Sequence, residues 1–197
     1  MTIPKLEDPI ELFNQWHQEA RKTDLDEPDA FCLSTCDTNG MPSSRMLLVK
    51  GADQEGFVFY TNLGSRKAKQ LQENPQAAMC FHWQPLRKQI RVQGHIQPVS
   101  PEEADAYFAS RIRGSQIGAW ASKQTQSMAG PEELLVRFAE FAEKFEDQEV
   151  PRPEFWSGFR LKPIRIEFWQ AADARLHERL EYRLLDDGTW ATDLLFP

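Results

Sequence analysis

Strand-like runs in this chain follow one another through tight turns, not through helices, and that succession limits the folds open to it. Residues 31–36 read as a strand ending at Asp37-Thr38-Asn39-Gly40, a turn with Asn-Gly at its tip. A second run holds Met46, Leu47, Leu48 and Val49, continuous enough to predict a strand covered on both faces. Phe57 to Tyr60 and residues 77–83 follow, the latter turned by Gln84-Pro85. Between residues 88 and 99, apolar Ile90, Val92 and Ile96 alternate with Gln89, Arg91 and Gln93. Residues 159–170 and 179–185 extend the series, and Asp186-Asp187-Gly188 turns into a last run, 190–196. Six or more strands joined this way, with three or four helices inserted, predict a mainly β, α+β fold built as an antiparallel barrel. A doubly wound sheet is disfavoured, because strands and helices do not alternate and no GxGxxG follows a strand. One domain is expected over residues 1–197, with a helical N-terminal segment to residue 25 and C-terminal strands from residue 160.

The helices announce themselves by their caps. Asp8-Pro9-Ile10-Glu11 opens a helix whose stripe is Leu12, Phe13, Trp16 and Ala20. Ser65 is placed to cap a short helix that Asn74-Pro75 stops, and Ser100-Pro101-Glu102-Glu103 repeats the logic ahead of Ala104, Tyr107 and Phe108. Residues 131–145 carry Leu134, Leu135, Phe138, Phe141, Ala142 and Phe145 on one face, a stripe expected to be core or subunit interface.

Charge narrows the partners. The formal net charge is −7, which argues against nucleic acid or an anionic membrane as the partner of the whole surface. No apolar run approaches the ~18 residues of a membrane span, and the first residues lack a signal-peptide pattern, so the cytoplasm is the expected compartment. Cys32, Cys36 and Cys80 are odd in number with no CxxC pair; neither a disulfide framework nor a zinc site is indicated, and reduced core thiols are expected.

Within this acidic chain, cations gather around one stretch: Arg45, Lys50, Arg66, Lys67 and Lys69. Ser65 starts a helix there, and a helix start with free N–H groups beside Arg66 and Lys67 suits an anion, most simply a phosphate. Tyr107-x3-Arg111-x3-Ser115 would place a phenol, a guanidinium and a hydroxyl on one helix face if the helix continues. Residues 120–125 add an amide and two hydroxyls. In Glu167-Phe168-Trp169-Gln170-x4-Arg175-Leu176-His177-Glu178-Arg179, an extended backbone would point Arg175, His177 and Arg179 to one side. Two Arg flanking a His repel each other unless an anion or electron-rich ligand lies between them.

RMLLVK at 45–50, FYTNLGSRKA at 59–68, SQIGAWASKQ at 115–124 and EFWQ-x4-RLHER at 167–179 together resemble the pyridoxine/pyridoxamine 5′-phosphate oxidases, from about Asp26 to Trp190. The resemblance implies a homodimer of FMN-binding split β-barrels with two FMN molecules in clefts between subunits. It assigns FMN phosphate to Arg45, Arg66 and Lys67, with Ser65 also among the cofactor-binding residues. It assigns the rest of FMN to Met46, Leu47, Leu48, Val49, Lys50, Tyr60, Thr61, Gln89, Gln124, Thr125, Trp169 and Arg179, some of them from the partner. Substrate phosphate falls to Lys50, Tyr107, Arg111 and Ser115, and the pyridine ring to Arg175, Leu176 and His177, with Arg175 and His177 as the catalytic pair. The implied reaction oxidises C4′ of pyridoxamine or pyridoxine 5′-phosphate to pyridoxal 5′-phosphate, with molecular oxygen as acceptor and peroxide released. A related flavin oxidase of phenazine type, or a barrel that holds FMN or pyridoxal phosphate without turnover, are the alternatives. Three positions depart from the family pattern. Residues before the first helix show no Arg and Tyr of a lid, Thr125 replaces Ser, and Leu194 stands where Arg is common.

Overall fold

The computed structural model describes residues 3–197. Helix α1 (Pro9–Ala20) leads into strands β1 (Ala30–Cys36), β2 (Pro42–Leu48), β3 (Gly51–Asp53) and β4 (Gly56–Asn62), then helix α2 (Arg66–Glu73). Strands β5 (Gln76–Trp83) and β6 (Lys88–Pro98) precede three helices, α3 (Pro101–Ser110), α4 (Arg113–Ala121) and α5 (Pro131–Lys144). Strands β7 (Trp156–Gln170), β8 (Glu178–Leu184) and β9 (Trp190–Leu194) complete the chain.

All pairings are antiparallel, as tight turns require, and the sheet order is β2-β1-β5-β6-β7-β4-β3 with β8 and β9 branching from β7. Strand β7 makes the branch because it is long enough to serve two neighbours along one edge. Its residues 156–161 pair with β4 and its residues 165–170 with β8, while β6 runs along the other side. A register shift at Gln93/Gly94 bends β6 where it meets that branch, and a Cβ on Gly94 would lie 2.0 Å from the Lys162 carbonyl oxygen, so only glycine fits.

The main core draws residues from Ile3 to Tyr182 into one cluster. Leu12, Phe13, Trp16 and Ala20 of α1 are all buried against it, the stripe expected from their spacing. Asp8 caps α1 through the Ile10 N–H at 2.8 Å, Ser65 caps α2 and Ser100 caps α3. The segment before α1 is tied down: the Ile3 N–H donates to Glu178, and the Tyr182 hydroxyl exchanges hydrogen bonds with the Leu6 backbone.

Three expectations are corrected. Strand β2 is an edge strand with one face open, so Met46 is 62% exposed and the run is not covered on both faces. The stripe of α5 is core only at its end: Phe145 is buried with Phe141 and Ala142 packed against its cluster, whereas Leu135 is 68% exposed and no residue within Pro131–Lys144 is buried. Cys32, Cys36 and Cys80 are free thiols but half-exposed, because they point away from Phe31, Leu33, Met79 and Phe81, which fill the core from the same strands. Among the described residues, no helix is long and apolar enough to cross a membrane.

Candidate active site

A cavity of about 650 Å³ opens between β2, β4 and the α3–α4 pair. It gathers Met46, Leu47, Leu48, Lys50, Tyr60, Thr61, Tyr107, Arg111, Ser115 and Gln124 from four separate stretches of sequence. Tyr107, Arg111 and Ser115 all reach the cavity, but not from one continuous helix face as expected. Helix α3 ends at Ser110, Arg111 takes an extended conformation (φ −73°, ψ 148°), and α4 begins at Arg113. The break aims the Arg111 side chain back across the cavity wall. Its guanidinium carbon lies 4.8 Å from the centre of the Trp156 ring, and Nη1 is buried with no hydrogen-bond partner among the described residues. Burial lowers its pKa, and a half-buried guanidinium with one sequestered, unpartnered nitrogen has donor capacity to spare for an anion.

Trp156 is a cavity residue the sequence reading missed. Tyr60 stacks on it at 5.4 Å and on Tyr107 at 3.9 Å. Gly158 sits opposite Tyr60 in the ladder, and a Cβ there would come within 2.6 Å of the Tyr60 ring, so this glycine lets the phenol lie flat. Burial and then the neighbouring Glu103 push the Tyr60 pKa up to about 12, which keeps the phenol neutral. The signal that could have found Trp156 is its register opposite Asn62, visible only once β4 and β7 are paired.

A cationic pole adjoins the cavity at the start of α2. The Lys67 amine is buried and donates to three neutral oxygens: Thr61 Oγ1 at 3.2 Å, Ser65 Oγ at 3.3 Å and Gln124 Oε1 at 2.9 Å. Thr61 and Gln124 also line the cavity. Burial first, and the nearby Arg45 charge second, lower the Lys67 pKa to about 8. Arg45 donates to Leu33 O, Thr35 Oγ1 and Ser43 Oγ, and its own pKa is lowered chiefly by burial, with Arg66 contributing. Among the described residues, none of Arg45, Arg66 or Lys67 has a carboxylate within ion-pair distance. The expected open helix start is corrected: the Arg66 N–H donates to Thr125 Oγ1 at 3.2 Å, and the Ala68 N–H to Ser65 Oγ. Thr125 reaches that position with φ at 75°, a strained backbone for a β-branched residue. An anion here meets side-chain cations more than bare N–H groups. Val49, from the same apolar run, is buried beneath the strand end and does not line the cavity.

The remaining candidates lie elsewhere. Gln89, Trp169 and Arg179 stand side by side on neighbouring strands β6, β7 and β8. The expected alternation of Arg175, His177 and Arg179 is overturned, because the chain is not extended there. A short 3-10 turn spans 173–175, with Ala174 at φ 52° and Arg175 at φ 62°, two adjacent left-handed residues. Arg179 has its counter-ion in Glu167, gripped through two contacts of 3.0 Å that raise its pKa. His177 packs on Trp169 at 4.8 Å and accepts from the Ala172 N–H through Nδ1. Arg175 and Leu176 are exposed, Leu176 by 72%. None of these residues lines the main cavity of the same chain.

Residues 17–145 match the family model described as pyridoxamine 5′-phosphate oxidase, and residues 156–197 match the model described as the pyridoxine 5′-phosphate oxidase C-terminal dimerisation region. The chain belongs to the pyridoxamine 5′-phosphate oxidase family. A pyridoxine/pyridoxamine 5′-phosphate oxidase of Caulobacter vibrioides is 51% identical over 191 residues, covering 97% of this chain and 86% of the relative. One from Zymomonas mobilis is 47% identical over 191 residues, covering 97% and 99%. Among solved structures, PhzG from Burkholderia lata, in complex with tetrahydrophenazine-1-carboxylic acid, superposes with a TM-score of 0.92 at 32% identity, covering 98% of this chain and 94% of that one. A pyridoxamine 5′-phosphate oxidase-related, FMN-binding protein from Nostoc punctiforme shares the fold at a TM-score of 0.77 and 17% identity, covering 95% and 96%. The antiparallel sheet expected from the turns is thus a split barrel of the kind those structures show.

Proposed function

We propose that this protein is an FMN-dependent oxidase that converts pyridoxamine or pyridoxine 5′-phosphate to pyridoxal 5′-phosphate with oxygen as acceptor. The observation that carries the reading is a pair of cationic groups, one buried and one half-buried, without carboxylate partners among the described residues. Lys67 has only neutral oxygens around its amine, and Arg111 has an unpartnered Nη1. Two phosphate esters, one of the cofactor and one of the substrate, would supply the missing negative charge at both. Relatives named for this activity at 47–51% identity support the same assignment.

The residues present fit FMN. Arg45, Ser65, Arg66 and Lys67 would hold its phosphate, with Thr125 bracing the start of α2. Met46, Leu47, Leu48, Lys50, Tyr60, Thr61 and Gln124 would line the remainder. FMN, when bound, supplies the electron acceptor for the hydride from C4′ and the route to oxygen, with peroxide as product. Lys50, Tyr107, Arg111 and Ser115 would clamp the substrate phosphate and orient the pyridine ring. Gln89, Trp169, Arg175, Leu176, His177 and Arg179 lie outside this cavity, so their assigned roles call for a second subunit. We therefore read the protein as a homodimer in which the 175–177 turn of one protomer closes the cavity of its partner. Exposure of Arg175 and Leu176 and the match of residues 156–197 to a dimerisation region support this. In that position Arg175 would stabilise charge developing on the ring, and His177 would orient the reacting amine or hydroxyl. Residues 1–197 are read as one functional unit, and a cytoplasmic setting agrees with three free thiols.

The second reading, a flavin oxidase of a phenazine precursor, is favoured by the similarity to PhzG. A single assay decides. Holoenzyme mixed with pyridoxamine 5′-phosphate in air should release peroxide and form the aldehyde, read by its absorbance. Bound flavin without turnover favours a binding protein, and turnover confined to unphosphorylated aromatics favours the second reading.

A further inference from the structure

We propose that Trp156 is a positioning residue for the substrate-phosphate clamp: its indole face fixes the Arg111 guanidinium while leaving that group's charge and N–H donors free for the incoming dianion. The inference rests on the reading of the cavity as a phosphate-ester site, and it adds a residue that none of the sequence motifs contains.

A cation can be held by a carboxylate or by an aromatic face. A carboxylate would orient Arg111 but would neutralise it and occupy its donors. An aromatic face attracts the guanidinium through the ring quadrupole and takes no N–H in doing so. Arg111 has the second arrangement. Its guanidinium carbon lies 4.8 Å from the Trp156 ring centre and 5.6 Å from that of Phe108, with no carboxylate partner among the described residues. Nη1 is left buried and unpartnered.

The platform is itself rigid. Trp156 is 6% exposed and meets Phe108 edge-on at 5.1 Å. Its backbone is pinned on both sides: the N–H donates to Pro153 O at 2.9 Å, and the carbonyl accepts from Arg152 Nη1 at 2.8 Å. Tyr60 lies almost parallel to it, with an interplanar angle of 4°, and stacks in turn on Tyr107. One aromatic cluster therefore ties two clamp residues, Tyr107 and Arg111, to the wall made by β4 and β7. Because Arg111 has left the helix at that point, the backbone alone does not orient its side chain. The indole does.

The test uses FMN-loaded wild-type protein, Trp156→Leu and Trp156→Phe. Steady-state oxidation is measured with pyridoxamine 5′-phosphate and with unphosphorylated pyridoxamine, and pyridoxal 5′-phosphate affinity is measured by absorbance titration. Trp156→Leu should raise KM for the phosphate ester about tenfold, within the range of a desolvated cation–π contact. Its kcat should fall less than threefold, and flavin content and kcat/KM for the unphosphorylated amine should hold. Trp156→Phe should recover most of the loss, and if the Leu variant does not fold, a rise of about twofold to threefold in the Phe variant is the deciding result. An unchanged KM, or a loss shared equally by both substrates, overturns the inference in favour of simple core packing. If wild-type protein oxidises neither vitamer, the proposed function fails while the inference is judged on pyridoxal 5′-phosphate affinity alone: weakened in Trp156→Leu it stands, unchanged it falls. Wild-type protein that binds no phosphate ester overturns both.

Discussion

Two sets of arginines and lysines in this molecule are treated in opposite ways. On the outer face of the β6-β7-β8 sheet, Arg91 and Arg179 both reach Glu167, while Arg165 and Arg183 reach Glu181, and Arg183 also holds Asp193. Around the cavity, Arg45, Lys67 and Arg111 have neutral or aromatic neighbours and no carboxylate among the described residues. Burial lowers the pKa of all three, whereas pairing raises that of Arg179 and Arg183. A cation kept buried and unpaired costs folding energy, and such a cost persists where a ligand offsets it. Charge alone does not set the two groups apart; charge left unanswered by the chain does. Arg175 is the informative exception, a cation on the outer side that lacks a carboxylate partner among the described residues and sits on strained backbone.

The largest expected effect tests that exception. Arg175→Leu should slow flavin reduction about 100-fold or more in a stopped-flow experiment while flavin content holds. Equal losses in both would return Arg175 to the structural set. Next comes the cationic pole. Arg66→Ala should weaken FMN binding about 10-fold to 150-fold in a fluorescence titration, the worth of a charge-assisted contact of roughly 1.5–3 kcal/mol. Lys67→Met should do likewise, yet it should raise the melting temperature of the apoprotein, since it removes a buried amine without a counter-ion. A fall in both would mean that Lys67 is already satisfied by its three oxygens.

The pH dependence sharpens the same point. Lys67 has its pKa depressed to about 8 by burial. Between that value and its ordinary one, the unfolded chain binds more protons than the folded apoprotein, so apoprotein stability should rise with pH across that window. FMN affinity should run the other way: full well below pH 8 and falling as pH climbs through it, because bound phosphate needs the protonated amine. The fall should vanish in Lys67→Met. A smaller effect is expected on the paired face. Glu167→Gln should lower the melting temperature by a few degrees, about 1–2 kcal/mol after solvent screening of partly exposed arginines. The smallest belongs to Leu194→Arg. Leu194 is 75% exposed, and this change should move stability by less than about 0.5 kcal/mol in a denaturant titration.

How far the sequence could be read follows from the range of the interactions involved. Caps at Asp8, Ser65 and Ser100 and the turns at Asn39-Gly40 and Asp187-Gly188 were legible, because each depends on residues within a few positions. Most of the cavity lining was marked instead by the resemblance to the family, through RMLLVK and the Tyr107, Arg111 and Ser115 set. The alternation drawn through residues 175–179 failed because two left-handed residues bend the chain, and no side chain there announces them. The α5 stripe and the Met46 run kept their spacing, but spacing reports that a face is apolar, not what covers it.

Sequence by itself determined most of the elements, though not β3 or α4, their antiparallel pairing and the gathering of cations around one stretch, since hydrogen-bonded caps, period-two patterns and clustered charges are local properties. Only the tertiary structure decided which cations stay unpaired. It alone brought Trp156 beneath Arg111, 45 positions earlier in the chain (156 − 111 = 45). Pairing β4 with β7 sets that meeting, and a contact so distant in sequence exists only once the sheet has closed.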